Sequence, residues 1–347
     1  MSAQVANLSP AYFGLAMATG IVSLAAHLNG YPRIAMALFA LNVALYFVLW
    51  ILTLWRVVRH PRRVVADLFD HQKGPGFFTK VAATGVLGSQ AAVLGSNVPA
   101  AFALWVLAVL LWLGLTYAIF AGLTIRKDKP GLAAGINGAW LLAVVATQAV
   151  AVLSALLAAH LAQPYRHAMN FLALSTWLAG GMLYIWTMSL IFYRYTFFPF
   201  SPSDFLPPYW INMGAMAIST LAGSQLIVNA ADAPMLRSML PFLEGFTVLY
   251  WATGTWWIPL LVVLMLWRHV VNRVPLRYEP LVWGAVFPLG MYSASTHALA
   301  GAMALAFLAL VSSAFSWIAL AAWIAAFCGL IVDLARRLFG ERTSVRA

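Results

Sequence analysis

Ala-Tyr-Phe-Gly-Leu-Ala-Met-Ala-Thr-Gly-Ile at 11–21 returns, with substitutions, as Gly-Phe-Phe-Thr-Lys-Val-Ala-Ala-Thr-Gly-Val at 76–86. In both copies an aromatic residue precedes a glycine by seven positions. An aromatic residue followed at this spacing by a glycine, alanine or threonine recurs in the pairs Phe13/Gly20, Phe78/Gly85, Trp140/Thr147, Trp210/Ala217 and Trp283/Gly290. Each pair lies early in a hydrophobic segment, and one further hydrophobic segment follows it. The repeat therefore predicts five helical hairpins.

The composition places these hairpins in a membrane. The chain of 347 residues is 63% hydrophobic and 8% charged, with a mean hydropathy of +0.88, whereas a soluble domain carries about 25% charged residues. Ten apolar segments approach or exceed the roughly 20 residues that a bilayer requires. They span about 9–28, 34–55, 76–95, 99–125, 135–159, 169–193, 209–230, 239–267, 280–300 and 313–335.

The sequence therefore predicts an all-α integral membrane protein. Ten transmembrane helices are expected as five hairpins with quasi-five-fold symmetry around a central pore. Because the connecting loops are short, residues 1–347 are expected to form a single transmembrane domain. The hairpins cover approximately 9–57, 76–125, 135–193, 209–267 and 280–335.

The basic residues predict an orientation. With the amino terminus in the cytoplasm, three Lys or Arg residues (Arg33, Arg166 and Arg237) lie on the outer face, and sixteen lie on the inner face. This asymmetry follows the positive-inside rule and predicts that both termini are cytoplasmic. Membrane topology thus accounts for the net charge of +11 without nucleic-acid binding. The sixteen are Arg56, Arg59, Arg62, Arg63, Lys73, Arg126, Lys127, Lys129, Arg194, Arg268, Arg273, Arg277, Arg336, Arg337, Arg342 and Arg346.

The odd-numbered and even-numbered segments differ in character. The odd ones carry small, hydroxyl and amide residues, and the even ones are rich in Leu, Val, Phe and Trp. Polar groups are costly in hydrocarbon unless they face protein or water, so the odd segments are expected to surround the pore. Close helix packing through small residues is the alternative explanation. The predicted pore-lining residues are Phe13, Thr19, Gly20, Phe78, Thr84, Gly85, Trp140, Thr147, Gln148, Trp210, Ser219 and Ser293.

The side chains available favour an anion. No Asp or Glu lies in the five odd segments, and Cys328 is the single cysteine. Neither paired carboxylates nor a metal-ligand spacing nor a nucleophile motif is present, so no enzyme activity, metal or cofactor is expected. A neutral corridor of hydroxyls and amides below a basic face suits a small anion. Lys80, one turn into the third segment, either attracts anions or extends to the lipid headgroups.

The ninth segment contains a candidate gate. Gly284, Phe287, Pro288 and Gly290 fall within seven residues. A proline at this position leaves the carbonyl of Gly284 without its helical partner and predicts a kink. The ring of Phe287, at that kink, either plugs the corridor or packs as an ordinary core aromatic.

Three stretches resemble the tellurite-resistance/dicarboxylate transporter family, which includes fungal malate and sulphite transporters and plant guard-cell slow anion channels. The first is Leu-Ser-Pro-Ala-Tyr-Phe-Gly-Leu-Ala-Met-Ala-Thr-Gly-Ile-Val-Ser at 8–23. The second is Asp-His-Gln-Lys-Gly-Pro-Gly-Phe-Phe-Thr at 70–79, followed by Val-Leu-Gly-Ser-Gln at 86–90. The third is Trp-Gly-Ala-Val-Phe-Pro-Leu-Gly-Met-Tyr at 283–292.

The resemblance implies ten helices around a quasi-five-fold pore and a homotrimer with a pore in each protomer. It also implies gating by a phenylalanine of the ninth helix, which is Phe287 here, beside Pro288 and Gly290. The most similar bacterial members are labelled as inner-membrane proteins of tellurite resistance or dicarboxylate transport. The expected function is therefore transport of a small anion, such as dicarboxylate, sulphite, chloride or nitrate, by a channel or with proton coupling. A membrane sensor or assembly protein with a closed bundle is the alternative from another class.

Overall fold

The computed structural model describes residues 5–339, with side chains as far as Arg336. Arg342, Arg346 and the side chain of Arg337, which the sequence assigns to the basic face, lie outside this part. The described chain is helical, with no strand in residues 5–339. Its ten long helices are Phe13–Leu28 (α1), Pro32–Arg59 (α2), Thr79–Val93 (α3), Val98–Ile125 (α4), Leu142–Ala158 (α5), Tyr165–Phe197 (α6), Ile211–Asn229 (α7), Leu240–Leu266 (α8), Trp283–Ala302 (α9) and Ala309–Phe339 (α10).

Each predicted apolar segment corresponds to one of these helices. Eight helical segments of the described chain are long and apolar enough to cross a membrane. The other two long helices, α3 and α9, are more polar because they contain Lys80 and the run Ser293–His297. The eight are Pro10–Leu28, Pro32–Arg59, Val98–Ile125, Gly138–Ala158, Tyr165–Phe197, Pro207–Asp232, Leu240–Val271 and Ala306–Arg336.

Five helices form a closed ring at the centre of the molecule. Helix α1 contacts α3, α3 contacts α5, α5 contacts α7, α7 contacts α9, and α9 returns to α1. Each of these inner helices packs against the even-numbered helix that follows it, here called its outer helix. Inner and outer helices differ in burial. In the most apolar 18 residues of each segment, 94% are buried in Gly138–Ala158 and 11% in Val98–Ile125. The odd segments are therefore inside and the even ones outside, as the composition indicates.

All five inner helices begin at the same end of the bundle. A 3₁₀ turn precedes each inner helix, and these turns contact one another in a second closed ring. Proline, which is favoured where a helix begins because it lacks an N–H group, occurs at the start of four of them. Because four outer helices end here near Arg56, Arg126, Arg194 and Arg268, we call this the basic end. The turns are Pro10–Tyr12, Gly74–Phe78, Gly138–Leu141, Pro207–Trp210 and Pro280–Val282.

Hydrogen bonds join each outer helix to the next inner helix around the ring. In every case a Trp or Tyr of the outer helix bonds to a hydroxyl or a backbone carbonyl of the inner one. These junction bonds use the polar groups of the inner helices to hold neighbouring hairpins together. They are Tyr46–Thr84 (2.7 Å), Trp112–Thr147 (2.9 Å), Trp177 to the carbonyl of Ser219 (2.8 Å), Trp251–Thr296 (3.0 Å) and Trp323–Thr19 (2.9 Å).

The bond between Trp323 and Thr19 closes the ring, because it joins the last outer helix to the first inner one. We expect Trp323→Phe, which keeps a six-membered aromatic ring but removes the N–H donor and the pyrrole part of the buried indole, to lower the free energy of unfolding by at least about 1 kcal/mol. Thermal unfolding in detergent measures this loss. Trp256→Phe is the matched control, since Trp256 is 59% exposed on α8. Equal stability of the two variants would contradict a role for this junction bond.

Helix α9 contains a proline that does not end it. The helix is continuous from Trp283 to Ala302, with Pro288 inside it. Pro288 lies in the second turn of the helix and has no N–H group to donate there. The helix nevertheless continues to Ala302. The apolar stretch after α9 forms a short connection with a 3₁₀ turn at Ala306–Leu308.

Candidate functional site

Two cavities lie inside the ring of inner helices, and the wall of each contains residues from all five. The smaller one, about 20 Å³, lies at the basic end, where the inner helices begin. The larger one, about 70 Å³, extends toward the opposite end. No charged side chain lines either cavity in the part of the chain that the structure describes.

The cavity walls follow a regular spacing along the inner helices. Residues that line the cavities recur with alternating steps of three and four, as in Gly14, Met17, Ile21, Leu24 and Leu28 of α1. Apart from Gly85, the lining residues of the other four helices fit the same series, without the position that corresponds to Met17. They define layers of five residues across the axis. From the basic end these are Gly14, Thr79, Leu142, Ile211 and Gly284; then Ile21, Val86, Ala149, Ile218 and Met291; then Leu24, Ser89, Val152, Leu221 and Ala294.

One layer separates the two cavities. By the same spacing it consists of Met17, Ala82, Val145, Gly214 and Phe287, all of them buried. Phe287 has the largest side chain of the five and no solvent-exposed surface. The phenyl ring is therefore the bulkiest side chain at the level between the two cavities.

The neighbours of Phe287 on α9 pack tightly against adjacent inner helices. A Cβ atom on Gly214 would lie 2.7 Å from Cγ of Pro288, so α7 and α9 touch at this point. A Cβ atom on Gly290 would lie 3.1 Å from Ile21 and 3.2 Å from Val22 of α1. Pro288 and Gly290 thus hold the start of α9 against both neighbours and fix where Phe287 lies.

The structure places Gly85, of the residues predicted to line the pore, on the wall of the larger cavity. Several others bond away from the axis. Thr19, Thr84 and Thr147 take part in junction bonds, while the side chain of Gln148 donates to the carbonyl of Trp177 at 3.0 Å. The hydroxyl of Ser293 donates to the carbonyl of Ser312 on α10, and that of Ser219 to the carbonyl of Ala215 on its own helix.

The predicted aromatic pore residues are also absent from both cavity walls. Phe13 packs edge-on against Tyr46 and Trp50 of the outer helix α2. Phe78 lies beside Phe120 on α4, and the indole of Trp140 donates to the carbonyl of Gly135. Trp210 is buried, and Gly20 is confined by Val86 and Asn42.

Lys80 lies off the axis. Its Nζ is 4.1 Å from the ring centroid of Phe77 and 5.5 Å from that of Phe13. The residue is 6% exposed and lines neither cavity. A cation over aromatic rings is attracted by their negative faces, which offsets part of the cost of burying the amine.

Four arginines fasten the basic end. Each lies at the end of an outer helix and donates to a backbone carbonyl in the segment that precedes its own hairpin. These bonds give the basic residues a structural role in addition to their topological one. The pairs are Arg56 to Ala6 (3.2 Å), Arg126 to Phe69 (2.7 Å), Arg194 to Ala133 (2.7 Å) and Arg268 to Phe205.

An acidic residue at this end pairs with one of these arginines. Asp67 bonds to Arg56 and, at 2.9 Å, to Lys73. Burial raises the pKa of Asp67, but the bonds from Arg56 and Lys73 outweigh burial and hold it below its usual value. No group of three or more His, Cys, Asp or Glu residues that could hold a metal occurs among the described residues.

The aromatic repeat missed the register of the fifth helix by one residue. Leu142 occupies the layer of Gly14 and Thr79, so Leu141 is the counterpart of Phe13 and Phe78, and Trp140 precedes it. The alternating three-and-four spacing of aliphatic residues carried the signal for the cavity walls. In the sequence such a stripe does not identify a cavity, because it is also the pattern of ordinary helix packing.

Comparison with known proteins identifies the family of this chain. The family model described as SLAC1, voltage-dependent anion channel, matches residues 7–331. An uncharacterized membrane protein of Mycobacterium tuberculosis is 44% identical over 153 residues, which cover 44% of this chain and 77% of the relative. Two uncharacterized transporters of Methanocaldococcus jannaschii are each 26% identical, over 86% and over 84% of both chains. The protein is therefore an integral membrane protein that belongs to the SLAC1 family of anion channels.

Proposed function

We propose that this protein conducts small anions along the axis of the inner-helix ring and that Phe287 is the gate. The observation that carries the proposal is the pair of cavities on one axis, separated by the layer that contains Phe287. Movement of the phenyl ring of Phe287 away from the axis would join the two cavities into one conduit. The membership of the SLAC1 family supports the same class of function.

The helix directions at the basic end support an anion as the transported species. Five inner helices begin around the smaller cavity, and a helix amino terminus carries a partial positive charge of about half an electron charge. Together with the arginines of the basic end, these dipoles attract anions and repel cations. The absence of charged side chains from the described cavity walls means that an anion is attracted without being trapped.

The composition of the cavity walls indicates which anions are favoured. An anion that enters the larger cavity exchanges water for mainly aliphatic side chains, so dehydration dominates its barrier. No lysine or arginine lines the axis in the described chain to hold a second carboxylate. We therefore propose small monoanions as the preferred substrates, ahead of dicarboxylates. Because no Asp, Glu or His lines either cavity within residues 5–339, we propose movement without proton coupling.

The proposal includes a membrane topology and an oligomeric state. All ten helices cross the bilayer in a quasi-five-fold arrangement, and both termini lie on the cytoplasmic side with the basic end. The protein assembles in the bacterial inner membrane as a homotrimer in which each protomer has its own conduit. A sensor or assembly protein with a permanently closed axis is the competing function.

Flux from liposomes distinguishes these functions. Purified protein is reconstituted into vesicles loaded with nitrate, chloride or malate, and potassium with valinomycin compensates the charge. We expect nitrate to leave faster than chloride, and chloride faster than malate, with little change between pH 6 and pH 8. If wild type and Phe287→Ala both match protein-free vesicles for every anion, the protein does not conduct.

A further inference from the structure

The wall of the larger cavity contains two polar side chains, Ser89 and Gln225. The hydroxyl of Ser89 donates to the carbonyl of Gly85 at 2.9 Å, so its hydrogen is committed within its own helix. No hydrogen bond joins the side chain of Gln225 to another group among residues 5–339. Gln225 is half-buried on the cavity wall, and no hydrogen bond in residues 5–339 uses its two N–H groups.

Gln225 lies in the layer nearest the mouth. Its counterparts on three other inner helices are Leu28, Val93 and Leu156, all aliphatic. Below this layer the wall offers Leu24, Val152, Leu221 and Ala294, besides Ser89. An anion that passes the mouth therefore meets one available side-chain donor before it reaches an aliphatic wall.

We propose that Gln225 determines anion specificity at this mouth, an assignment that rests on the proposed conduit. Its N–H groups replace part of the water shell that an anion loses as it enters, because an amide can donate two hydrogen bonds. The benefit is greatest for anions that accept strong hydrogen bonds, such as chloride, and smallest for weakly hydrated anions, such as thiocyanate. An aliphatic wall alone would favour weakly hydrated anions over strongly hydrated ones. Gln225 therefore reduces the difference in flux between thiocyanate and chloride.

Two substitutions at Gln225 test this role in the Phe287→Ala background. Gln225→Met keeps the length of the side chain and removes the donors. We expect it to lower chloride flux about fivefold, the effect of one lost hydrogen bond of ordinary strength, while thiocyanate flux changes less than about twofold. Gln225→Glu keeps the shape and adds a carboxylate, which repels anions above its pKa, about 4.3 in water. We expect its flux to be low at pH 8 and to recover as the pH falls toward 4.

Gln163→Met is the matched control, because Gln163 is exposed in the loop between α5 and α6 and lines neither cavity. We expect it to leave the ratio of chloride to thiocyanate flux unchanged. An unchanged ratio in Gln225→Met, together with the same pH response in Gln225→Glu as in the parent, would overturn the assignment while the conduit stands. Absence of flux in the parent would overturn the conduit and, with it, the role of Gln225.

Discussion

Phe287→Ala is expected to raise anion flux through reconstituted protein by at least about tenfold. The phenyl ring is fully buried in the layer between the two cavities, and an apolar constriction of this kind excludes ions by excluding water. The other residues of the layer are Met17, Ala82, Val145 and Gly214, and none is aromatic. Replacement by alanine leaves a gap that can join the cavities.

A loss of stability must be separated from the opening of the axis. Truncation of a buried phenylalanine costs about 3–5 kcal/mol wherever it occurs. Phe13→Ala is the matched control, because Phe13 is also buried on an inner helix but packs against Tyr46 and Trp50 of the outer helix α2. We expect it to be destabilised to a similar extent without a comparable rise in flux.

The measurement is chloride efflux from vesicles at matched protein content. Two further substitutions at the same position grade the effect. Phe287→Leu should give an intermediate flux, because a smaller side chain fills part of the gap, and Phe287→Trp should keep the flux low. If Phe13→Ala and Phe287→Ala conduct equally, leakage through loosened packing explains the flux, and Phe287 is not the gate.

The helices could be predicted from the sequence because bilayer thickness fixes their length. The predicted segments and the observed helices agree within a few residues for most of the chain, for example 99–125 against Val98–Ile125. The division into inner and outer helices was also predictable, since polar residues cannot face lipid. A ring of five helices satisfies both constraints.

The side chains along the axis were harder to predict, because a polar group in an inner helix has two ways to avoid lipid. It can face water on the axis, or it can bond to a neighbouring helix. Thr19, Thr84 and Thr147 take the second course, where each meets a Trp or Tyr of an outer helix. Their neighbours Ile21 and Val86 face the cavity instead. The choice depends on a partner far away in the sequence, such as Trp323 for Thr19.

The conduit can follow the hydroxyl-bearing face of the inner helices or the face that lines the cavities, and the two cases differ in which residues water reaches. If the hydroxyl face lines the conduit, cysteines at Thr19, Thr84 and Ser293 should react with a water-soluble thiol reagent. If the cavity wall of the structure lines it, cysteines at Leu24, Val152 and Leu221 should react instead. We expect the second result, because the hydroxyls of Thr19, Thr84 and Ser293 bond to outer helices.

The experiment uses single cysteines in a Cys328→Ser background, since Cys328 is exposed on α10. We expect a charged methanethiosulfonate to modify the cysteines at Leu24, Val152 and Leu221 at least about tenfold faster than those at the hydroxyl positions, because thiol reactivity depends on access and thiolate formation. Labelling after denaturation confirms that every thiol is intact. Faster reaction at Thr19 and Ser293 would place the conduit along the hydroxyl face. Protection of all six positions would favour a closed bundle, because a cavity that water cannot reach cannot conduct an anion.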